Sequence, residues 1–377
     1  MAEPLKNRYG ADVPEAIAAM IRAVHPRFDA DGFVRDALDG YAALGLMARG
    51  RKIAEALHRH LPQAFPNAVD ILLASLDRPH GRRAGAGMDG FLFLPHTEYV
   101  AAYGLDHFED AMRAQHALTR RFTAEFSIRP FLERHPQATL QRLAQWAEDP
   151  DEHVRRLVSE GTRPRLPWGM RLRAFQRDPR PTLALLEKLR DDPSLYVRRS
   201  VANHLNDIGK DHPDLLNEVA ARWMQDAGDA RAWIVRHALR SSIKRGDPKA
   251  LALLGYGATA KIRLDDVRIR PKRATIGDKV VVAFDVVSTA RRRQSLLIDF
   301  RVHYVKANGS TSPKVFKGRK LDLAPGDTSP CTHTVTLIQR STRTHYPGTH
   351  RVDALVNGAA YPLGAFELRA APKSGDG

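Results

Sequence analysis

A segment of 23 residues occurs twice in this chain, at an offset of 43 residues. Residues 136–158 read PQATLQRLAQWAEDPDEHVRRLV, and residues 179–201 read PRPTLALLEKLRDDPSLYVRRSV. A looser third copy spans residues 213–237. Helix pairs that recur about every 40 to 47 residues are typical of HEAT-type solenoids, in which each repeat buries its apolar face against its neighbours. The repeat therefore predicts a helical solenoid.

Helical spacing of apolar residues extends from about residue 13 to residue 254 and then gives way to a period of two. Seven short alternating segments follow, separated by Gly, Pro and Asn, which predicts an immunoglobulin-like sandwich. We therefore expect a multidomain fold, α then all-β. A HEAT-like α-solenoid should occupy residues 1–257, an immunoglobulin-like β-sandwich residues 258–370, and a disordered tail residues 371–377.

The chain is strongly basic, with 59 Lys and Arg against 43 Asp and Glu and a net charge of +16. Residues 258–377 contain 21 of the basic and 10 of the acidic residues, so the predicted sandwich is the more basic part. Such a surplus favours a polyanionic partner, although a generally basic composition is the alternative. We expect the sandwich to grip DNA through exposed clusters such as Arg291, Arg292 and Arg293.

Several classes of protein are excluded by what the sequence lacks. The single cysteine, Cys331, rules out an internal disulfide and any zinc site with several Cys ligands. No apolar run approaches the length of a signal peptide or a transmembrane helix, so we expect a cytoplasmic protein with no membrane partner. There is no phosphate-binding loop, dinucleotide fingerprint, HExxH or nucleophile elbow, and the sixteen histidines are scattered. We expect no cofactor and no metal ion.

Basic residues recur at the same place in the second helix of successive repeats. They are Arg155 and Arg156, then Arg198 and Arg199, then Arg236. Two interpretations are open. Stacked repeats would align these side chains into a ladder that contacts a phosphate backbone. Alternatively, one Arg of each pair bonds the Asp of the adjacent turn and braces the solenoid.

The segment SEGTRPRLPW at residues 159–168 is unusual for a link between repeats. Gly161 is expected to end the preceding helix in the left-handed conformation. Two prolines then stiffen a loop that contains Arg163, Arg165 and Trp168. Glu160, at the edge of this cationic stretch, is either a salt-bridge partner or a functional carboxylate.

Three runs in the helical region, EFSIRP at residues 125–130, SEGTRPRLPWG at residues 159–169 and NHLNDIGKDHP at residues 203–213, resemble the AlkC-type DNA alkylation repair glycosylases. These are relatives of the AlkD-like HEAT-repeat glycosylases, and the resemblance includes the variant with an immunoglobulin-like domain. It implies excision of cationic N3-alkylated bases, 3-methyladenine and 3-methylcytosine, from duplex DNA. It also implies that the damaged nucleotide is not flipped into a pocket, as it is in most glycosylases.

The resemblance also assigns roles to individual residues. Glu125, Glu160 and Asp207 correspond to an acidic cluster that faces the lesion, and Trp168 to an aromatic wall beside it. The full set of candidate lesion- and DNA-binding residues is Trp168, Arg163, Arg165, Arg155, Arg156, Arg198, Arg199, Arg236, Lys210, Arg291, Arg292 and Arg293.

Carboxylates suit this chemistry. A base alkylated at N3 is already positively charged, so it leaves as a neutral molecule without a general acid. The remaining sugar becomes an oxocarbenium-like cation, which carboxylates stabilise, and one carboxylate can orient or deprotonate the attacking water. The expected partner is double-stranded DNA with alkylated bases, bound by a monomer in the bacterial-type nucleoid.

Two other functions remain open from the residues alone. A non-enzymatic HEAT-repeat scaffold for nucleic acid would share the charge and the repeats, but it gives no purpose to the three acidic residues. A protein-interaction adaptor would bind peptides in its groove, as solenoids commonly do, and would have no affinity for DNA.

Overall fold

The computed structural model describes residues 5–79, 89–257, 259–339 and 343–370. The tail expected at residues 371–377 lies outside the described residues. Within them, sixteen α-helices precede eight β-strands, so the predicted order of α then all-β is confirmed. No helix of these ranges is both long and apolar enough to cross a bilayer.

The helices are mostly short. Three 3₁₀ turns lie at Leu5–Arg8, Tyr41–Ala43 and Asp89–Phe93. The α-helices are α1 (Asp12–Arg22), α2 (Ala30–Leu38), α3 (Leu46–His60), α4 (Phe65–Ser75), α5 (Leu94–Tyr103), α6 (Phe108–Thr119), α7 (Arg129–Arg134), α8 (Pro136–Trp146), α9 (Glu152–Gly161), α10 (Arg173–Arg177), α11 (Arg180–Leu189), α12 (Leu195–Asp211), α13 (Pro213–Met224), α14 (Asp229–Ala238), α15 (Arg240–Lys244) and α16 (Pro248–Leu253).

The sequence repeat corresponds to helix pairs. The two close copies form α8 with α9 and α11 with α12, and the looser copy forms α13 with α14. Asp151 accepts a hydrogen bond from the backbone of His153 and so caps α9, and Ser194 caps α12 in the same way through Tyr196. The apolar face of α9, which includes Leu157, is fully buried. The predicted HEAT-like pairing is therefore present in the two close copies.

Packing divides the described chain into two compact units. The first contains residues up to 212 together with residues 226–238, and hence α1 to α12 and α14. The second contains residues 213–225 and everything after residue 238, and hence α13, α15, α16 and all the strands. The compact units thus divide within the third helix pair, whereas the change from helix to strand falls between α16 and the first strand.

The β-region is a sandwich of two sheets. Its strands are β1 (Ile262–Arg270), β2 (Arg273–Thr275), β3 (Lys279–Ser288), β4 (Gln294–Val305), β5 (Thr311–Leu323), β6 (Thr328–Thr336), β7 (Gly348–Val356) and β8 (Ala359–Arg369). One sheet has the order β1-β3-β6 and the other the order β2-β8-β7-β4-β5.

Alternate residues of the strands form the core of the sandwich. Along β3, Val280, Val282, Phe284 and Val286 are buried while their neighbours face outward, as the period of two predicts. All seven predicted strands form. The additional strand, β2, has three residues and pairs in parallel with β8, and three residues are too few to show an alternation. Cys331 is a buried free thiol in this core.

Candidate active site

A cleft of about 780 Å³ opens in the first compact unit. Its lining comes from four parts of the chain: the start of α3, residues 91–94, the segment that precedes α7, and the end of α9 with the loop that follows it. Most of the lining is apolar, and the charged residues that line it are Glu125, Glu160 and Arg163. Two of the three predicted acidic residues therefore face one cleft.

Glu125 lies in the connection between α6 and α7. Its Oε2 accepts a hydrogen bond from the hydroxyl of Thr123 at 2.9 Å, and the same oxygen forms an ion pair with Arg156 of α9. The side chain of Glu125 is 13% exposed, the largest value among the three predicted acidic residues. Glu125 is thus the carboxylate that a ligand in the cleft reaches most easily.

Glu160 lies in the last turn of α9 and is held at both oxygens. Oε1 accepts a hydrogen bond from Nη1 of Arg163 at 2.6 Å, and Arg156 approaches the same oxygen to 3.7 Å. Oε2 accepts a hydrogen bond from the buried hydroxyl of Ser200, on α12, at 2.6 Å. These contacts fix the orientation of the Glu160 carboxylate at the cleft.

Asp207 lies on α12 and does not line the cleft. Its Oδ2 accepts a hydrogen bond from Nε of Arg163 at 2.8 Å, and its Oδ1 accepts one from Nζ of Lys210 at 2.8 Å. The side chain is 2% exposed. Asp207 therefore lies behind the guanidinium of Arg163 rather than at the surface of the cleft.

The three acidic residues and two arginines form one continuous chain of ion pairs. Its order is Glu125, Arg156, Glu160, Arg163, Asp207. Burial lowers the pKa of Arg163, but attraction to Glu160 and Asp207 outweighs it and raises this pKa above its usual value. The pKa of Arg156 is raised in the same way by Glu125 and Glu160, against the effect of burial. Both guanidinium groups therefore remain charged and hold the carboxylates in place.

The recurring arginines divide into bracing and exposed residues. Arg155 and Arg198 each donate from Nη1 to two backbone carbonyls of the Asp-Pro turn before their own helix, at 2.7 to 2.9 Å. Arg155 also pairs with the buried carboxylate of Asp192 at 2.7 Å. Arg199 and Arg236 are exposed and have no ion pair within the described part of the chain. The bracing interpretation thus accounts for Arg155 and Arg198, whereas Arg199 and Arg236 are accessible to a phosphate.

The other candidate cations also differ in their surroundings. Arg163 is buried between its two carboxylates, and Arg165 forms a bidentate pair with Asp211, with 2.9 Å between Nε and Oδ2. Lys210 is exposed, although it reaches Asp207. In the second compact unit, Arg291, Arg292 and Arg293 are exposed in the loop between β3 and β4, and Arg293 also pairs with Asp322 at 3.4 Å.

Trp168 is at the surface and does not pack in the core. Its side chain is 84% exposed at the edge of the cleft. Its backbone has a φ of 62°, in the left-handed region that is strained for a bulky residue. Strain of this kind is found mainly at functional sites. The other three tryptophans differ, since Trp146 and Trp223 are buried and Trp233 is half-buried on His237.

The prediction that Gly161 has a left-handed conformation is wrong. Gly161 is the last residue of α9 and is not among the residues with positive φ. A Cβ atom at this position would lie 2.6 Å from Cγ2 of Ile128, so glycine is needed for close packing. The carbonyl of Gly161 also accepts a hydrogen bond from Nη1 of the fully buried Arg129, whose Nε bonds the carbonyl of Met170. Arg129 thus ties together both ends of the loop that contains Trp168.

Residues 121–241 match the family of DNA alkylation repair enzymes, and residues 263–370 match the C-terminal immunoglobulin-like domain of YhaZ. The uncharacterized protein YhaZ of Bacillus subtilis is 38% identical over 355 residues, which is 94% of this chain and 96% of that protein. The chain belongs to the DNA alkylation repair enzyme family. A solved structure, the Pseudomonas fluorescens alkylpurine DNA glycosylase AlkC bound to DNA containing an abasic site analog, is 40% identical. The match covers 98% of this chain and 100% of the AlkC chain, with a TM-score of 0.91.

In this member of the DNA alkylation repair enzyme family, sequence reasoning missed the apolar wall of the cleft. Phe91 and Phe122 pack there with 5.0 Å between ring centroids and their planes tilted by 56°, and Met47, at the start of α3, lines the same cleft. Nothing in the sequence links Met47 and Phe91 to the acidic residues, because they are far from them along the chain, whereas Phe122 is three residues before Glu125. Arg129 and Phe126 could have been found from the sequence, since both are within the EFSIRP run that contains Glu125.

Sequence reasoning also missed Ser200, which orients Glu160. It directly follows the Val-Arg-Arg triplet of the second repeat. Among the described residues of this family member, no group of three or more His, Cys, Asp or Glu side chains is arranged to hold a metal ion.

Proposed function

We propose that this chain is a DNA glycosylase that removes cationic N3-alkylated bases, such as 3-methyladenine and 3-methylcytosine, from duplex DNA. The observation that supports it most is a single cleft that is lined by two carboxylates, Glu125 and Glu160, together with aromatic side chains such as Phe91 and Phe122. The similarity to a solved alkylpurine DNA glycosylase extends over 98% of the chain, which supports the same reaction class.

The protein does not need to protonate the leaving base in this reaction. A base alkylated on N3 is cationic, so cleavage of the N-glycosidic bond gives a neutral base and a positively charged sugar. Water then adds to C1′ and loses a proton. A fixed negative charge near C1′ stabilises the sugar cation in a site of low dielectric constant, and such preorganised electrostatics is commonly the largest contribution to rate.

The three acidic residues would have different roles in this reaction. Among the described residues, the partners of Glu125 contact only Oε2, so Oε1 is available to accept a hydrogen bond from the attacking water. Glu160 is engaged at both oxygens and would act as a fixed charge. Asp207 lies behind Arg163 and would position that guanidinium, and through it Glu160.

The arginines make such an acidic site compatible with DNA. Three uncompensated carboxylates would repel the phosphate backbone, but Arg156 and Arg163 lie between them and offset most of their charge. Exposed cations such as Arg199 and Arg236 would hold phosphates, with the release of counterions as the main driving force. The basic sandwich would add further phosphate contacts. We infer that the enzyme acts as a monomer, in the nucleoid, and leaves the damaged base unflipped.

The test is base release by a Glu160→Gln variant. Glutamine keeps the size and one oxygen but removes the charge. We expect abasic sites in a methylated duplex to form at least about 100-fold more slowly than with the wild type, with DNA affinity retained. Glu148→Gln, at a carboxylate that is 73% exposed and pairs with Lys188, is the matched control and should behave as the wild type.

A scaffold without enzymatic activity is the alternative function. It would bind the duplex and form no abasic sites, with the wild type and with both variants alike. Equal rates for the wild type and Glu160→Gln would equally contradict the proposed role of the acidic residues.

A further inference from the structure

Tyr196 lies in the first turn of α12, which packs against α9. The centroid of its ring is 5.1 Å from the guanidinium carbon of Arg156 and 5.4 Å from the ring centroid of His153, with the two ring planes at 68°. Residues 153, 156 and 160 of α9 are spaced by three and four positions, so they lie on one face of that helix. The phenol ring therefore packs onto the face of α9 that also carries Glu160.

Arg156 is the cation that joins the two carboxylates of the cleft. It forms an ion pair with Glu125 and approaches Oε1 of Glu160 to 3.7 Å. Its Nη1 also donates a hydrogen bond to the hydroxyl of Thr123 at 3.2 Å, and that hydroxyl donates one to Oε2 of Glu125. The position of this guanidinium therefore sets the distance between the two negative charges.

Tyr196 contributes to the charged state of Arg156. Burial lowers the pKa of Arg156, and attraction to Glu125 and Glu160 outweighs it. The interaction with Tyr196 raises the same pKa further. Burial also raises the pKa of Tyr196, so the phenol is neutral at physiological pH. A neutral ring face is a favourable neighbour for a guanidinium that is removed from water, because cation–π attraction increases on desolvation.

We propose that Tyr196 is a positioning residue of the active site, whose ring holds Arg156 between Glu125 and Glu160. The ring carries this role rather than the hydroxyl, which forms no hydrogen bond with a residue of the described ranges. The role in base release rests on the proposed function, in which the carboxylates stabilise a sugar cation. Charges stabilise a transition state best when they are fixed in place, so a mobile Arg156 lowers the rate of bond cleavage more than it lowers DNA affinity.

Two substitutions in the full-length protein separate the ring from the hydroxyl. Tyr196→Leu keeps an apolar side chain without a π face, and we expect single-turnover base release to slow about tenfold. Tyr196→Phe keeps the ring and should remain within about twofold of the wild type. The affinity for an undamaged duplex, measured by fluorescence anisotropy, should change less than about twofold in both variants. A phenylalanine variant as slow as the leucine variant would overturn the assignment to the ring.

Leu195 provides the matched control. It lies beside Tyr196 in the same turn of α12 and is 45% exposed. Leu195→Ala removes apolar surface from the same part of the helix and should release bases at the rate of the wild type. A loss equal to that of Tyr196→Leu would assign the effect to the helix surface and contradict a role through Arg156.

A double-mutant cycle distinguishes positioning from a general structural effect. Because Tyr196 acts through Arg156, Tyr196→Leu should slow an Arg156→Gln protein by less than about twofold, although it slows the wild type about tenfold. The same loss in both backgrounds would show that the ring acts by another route and would overturn the proposal. Thermal unfolding of the four proteins verifies that each is folded.

The contact is also measurable without DNA or catalysis. The ¹⁵Nε–¹Hε signal of Arg156 is identified by its absence from the spectrum of Arg156→Gln. The ring current of Tyr196 should displace this signal in the wild type and in Tyr196→Phe, and Tyr196→Leu should move it towards the position of free arginine. An unchanged signal in Tyr196→Leu would overturn the positioning role. If the wild type releases no bases, the glycosylase proposal fails, whereas this spectrum still decides whether Tyr196 holds Arg156.

Discussion

Nε of Arg163 lies 2.8 Å from Oδ2 of Asp207, although the two residues are 44 positions apart in the sequence. The bond connects the loop after α9 to the middle of α12. Both side chains are buried, and Arg163 joins Asp207 to Glu160, which lines the cleft. The acidic residue that lies deepest is therefore a positioning residue in our interpretation.

Replacing Asp207 by Asn tests this interpretation. We expect a loss of about 3 kcal/mol in the free energy of unfolding, because a buried ion pair loses one partner. Base release should fall about tenfold, less than for Glu160→Gln. Denaturant unfolding and single-turnover kinetics measure the two effects, and Asp207→Glu should recover part of each. A fall as large as that of Glu160→Gln with unchanged stability would instead place Asp207 at the reacting sugar.

Trp168→Gly should be more stable than Trp168→Ala, whereas both variants should release bases more slowly than the wild type. Glycine adopts a positive φ without strain, so we expect about 1 kcal/mol more stability than in Trp168→Ala, which keeps the strain. Both variants lose the exposed indole and should release bases more slowly. Thermal unfolding and base release measure the two quantities. Equal stability of the two variants would show that the backbone at residue 168 relaxes when the ring is removed.

Arg155 and Arg199 should give different phenotypes although both belong to the recurring pairs. Arg155→Ala leaves the buried Asp192 without its partner and should cost about 3 kcal/mol of stability. Arg199→Ala should change stability by less than about 0.5 kcal/mol. It should lower DNA affinity and reduce the slope of affinity against salt by about one. Unchanged stability and weaker DNA binding in Arg155→Ala would instead indicate that Arg155 contacts a phosphate.

His96 should make the protein less stable in mild acid. Burial lowers its pKa from 6.5 to about 4, and neither ring nitrogen has a hydrogen-bond partner in the described part of the chain. The unfolded state therefore binds the proton more tightly, so stability is lost as the pH falls from 6.5 towards 4. The loss from this group is about 2 kcal/mol at pH 5.

His96→Leu should flatten this dependence and raise the melting temperature at pH 5, since it removes a buried polar group that bonds no described residue. The measurement is thermal unfolding of both proteins between pH 5 and pH 7.5. A variant that keeps the full pH dependence would assign it to other groups. Among these groups, His204 should contribute most to the pH dependence, because burial lowers its pKa to about 3.

The sequence predicted the repeats and the seven longer strands, because each leaves a pattern in neighbouring residues, whereas the three acidic positions were inferred from the resemblance of the runs that contain them. It did not separate Arg155 from Arg156. Adjacent residues of the same type point about 100° apart on a helix, and only the packed neighbours decide which meets Asp192 and which meets Glu125. The apolar wall was missed for a related reason, since Met47 and Phe91 reach the cleft only through tertiary packing.

The residues that line the cleft come from two parts of the chain. The acidic residues, Phe122 and Trp168 lie within residues 121–241, which match the repair-enzyme family, while Met47 and Phe91 lie before that segment. Under the proposed function, substitutions at Met47 and Phe91 would alter which lesions fit the cleft and leave the acidic residues in place. A library restricted to these N-terminal positions would be the economical way to change the range of lesions that are removed.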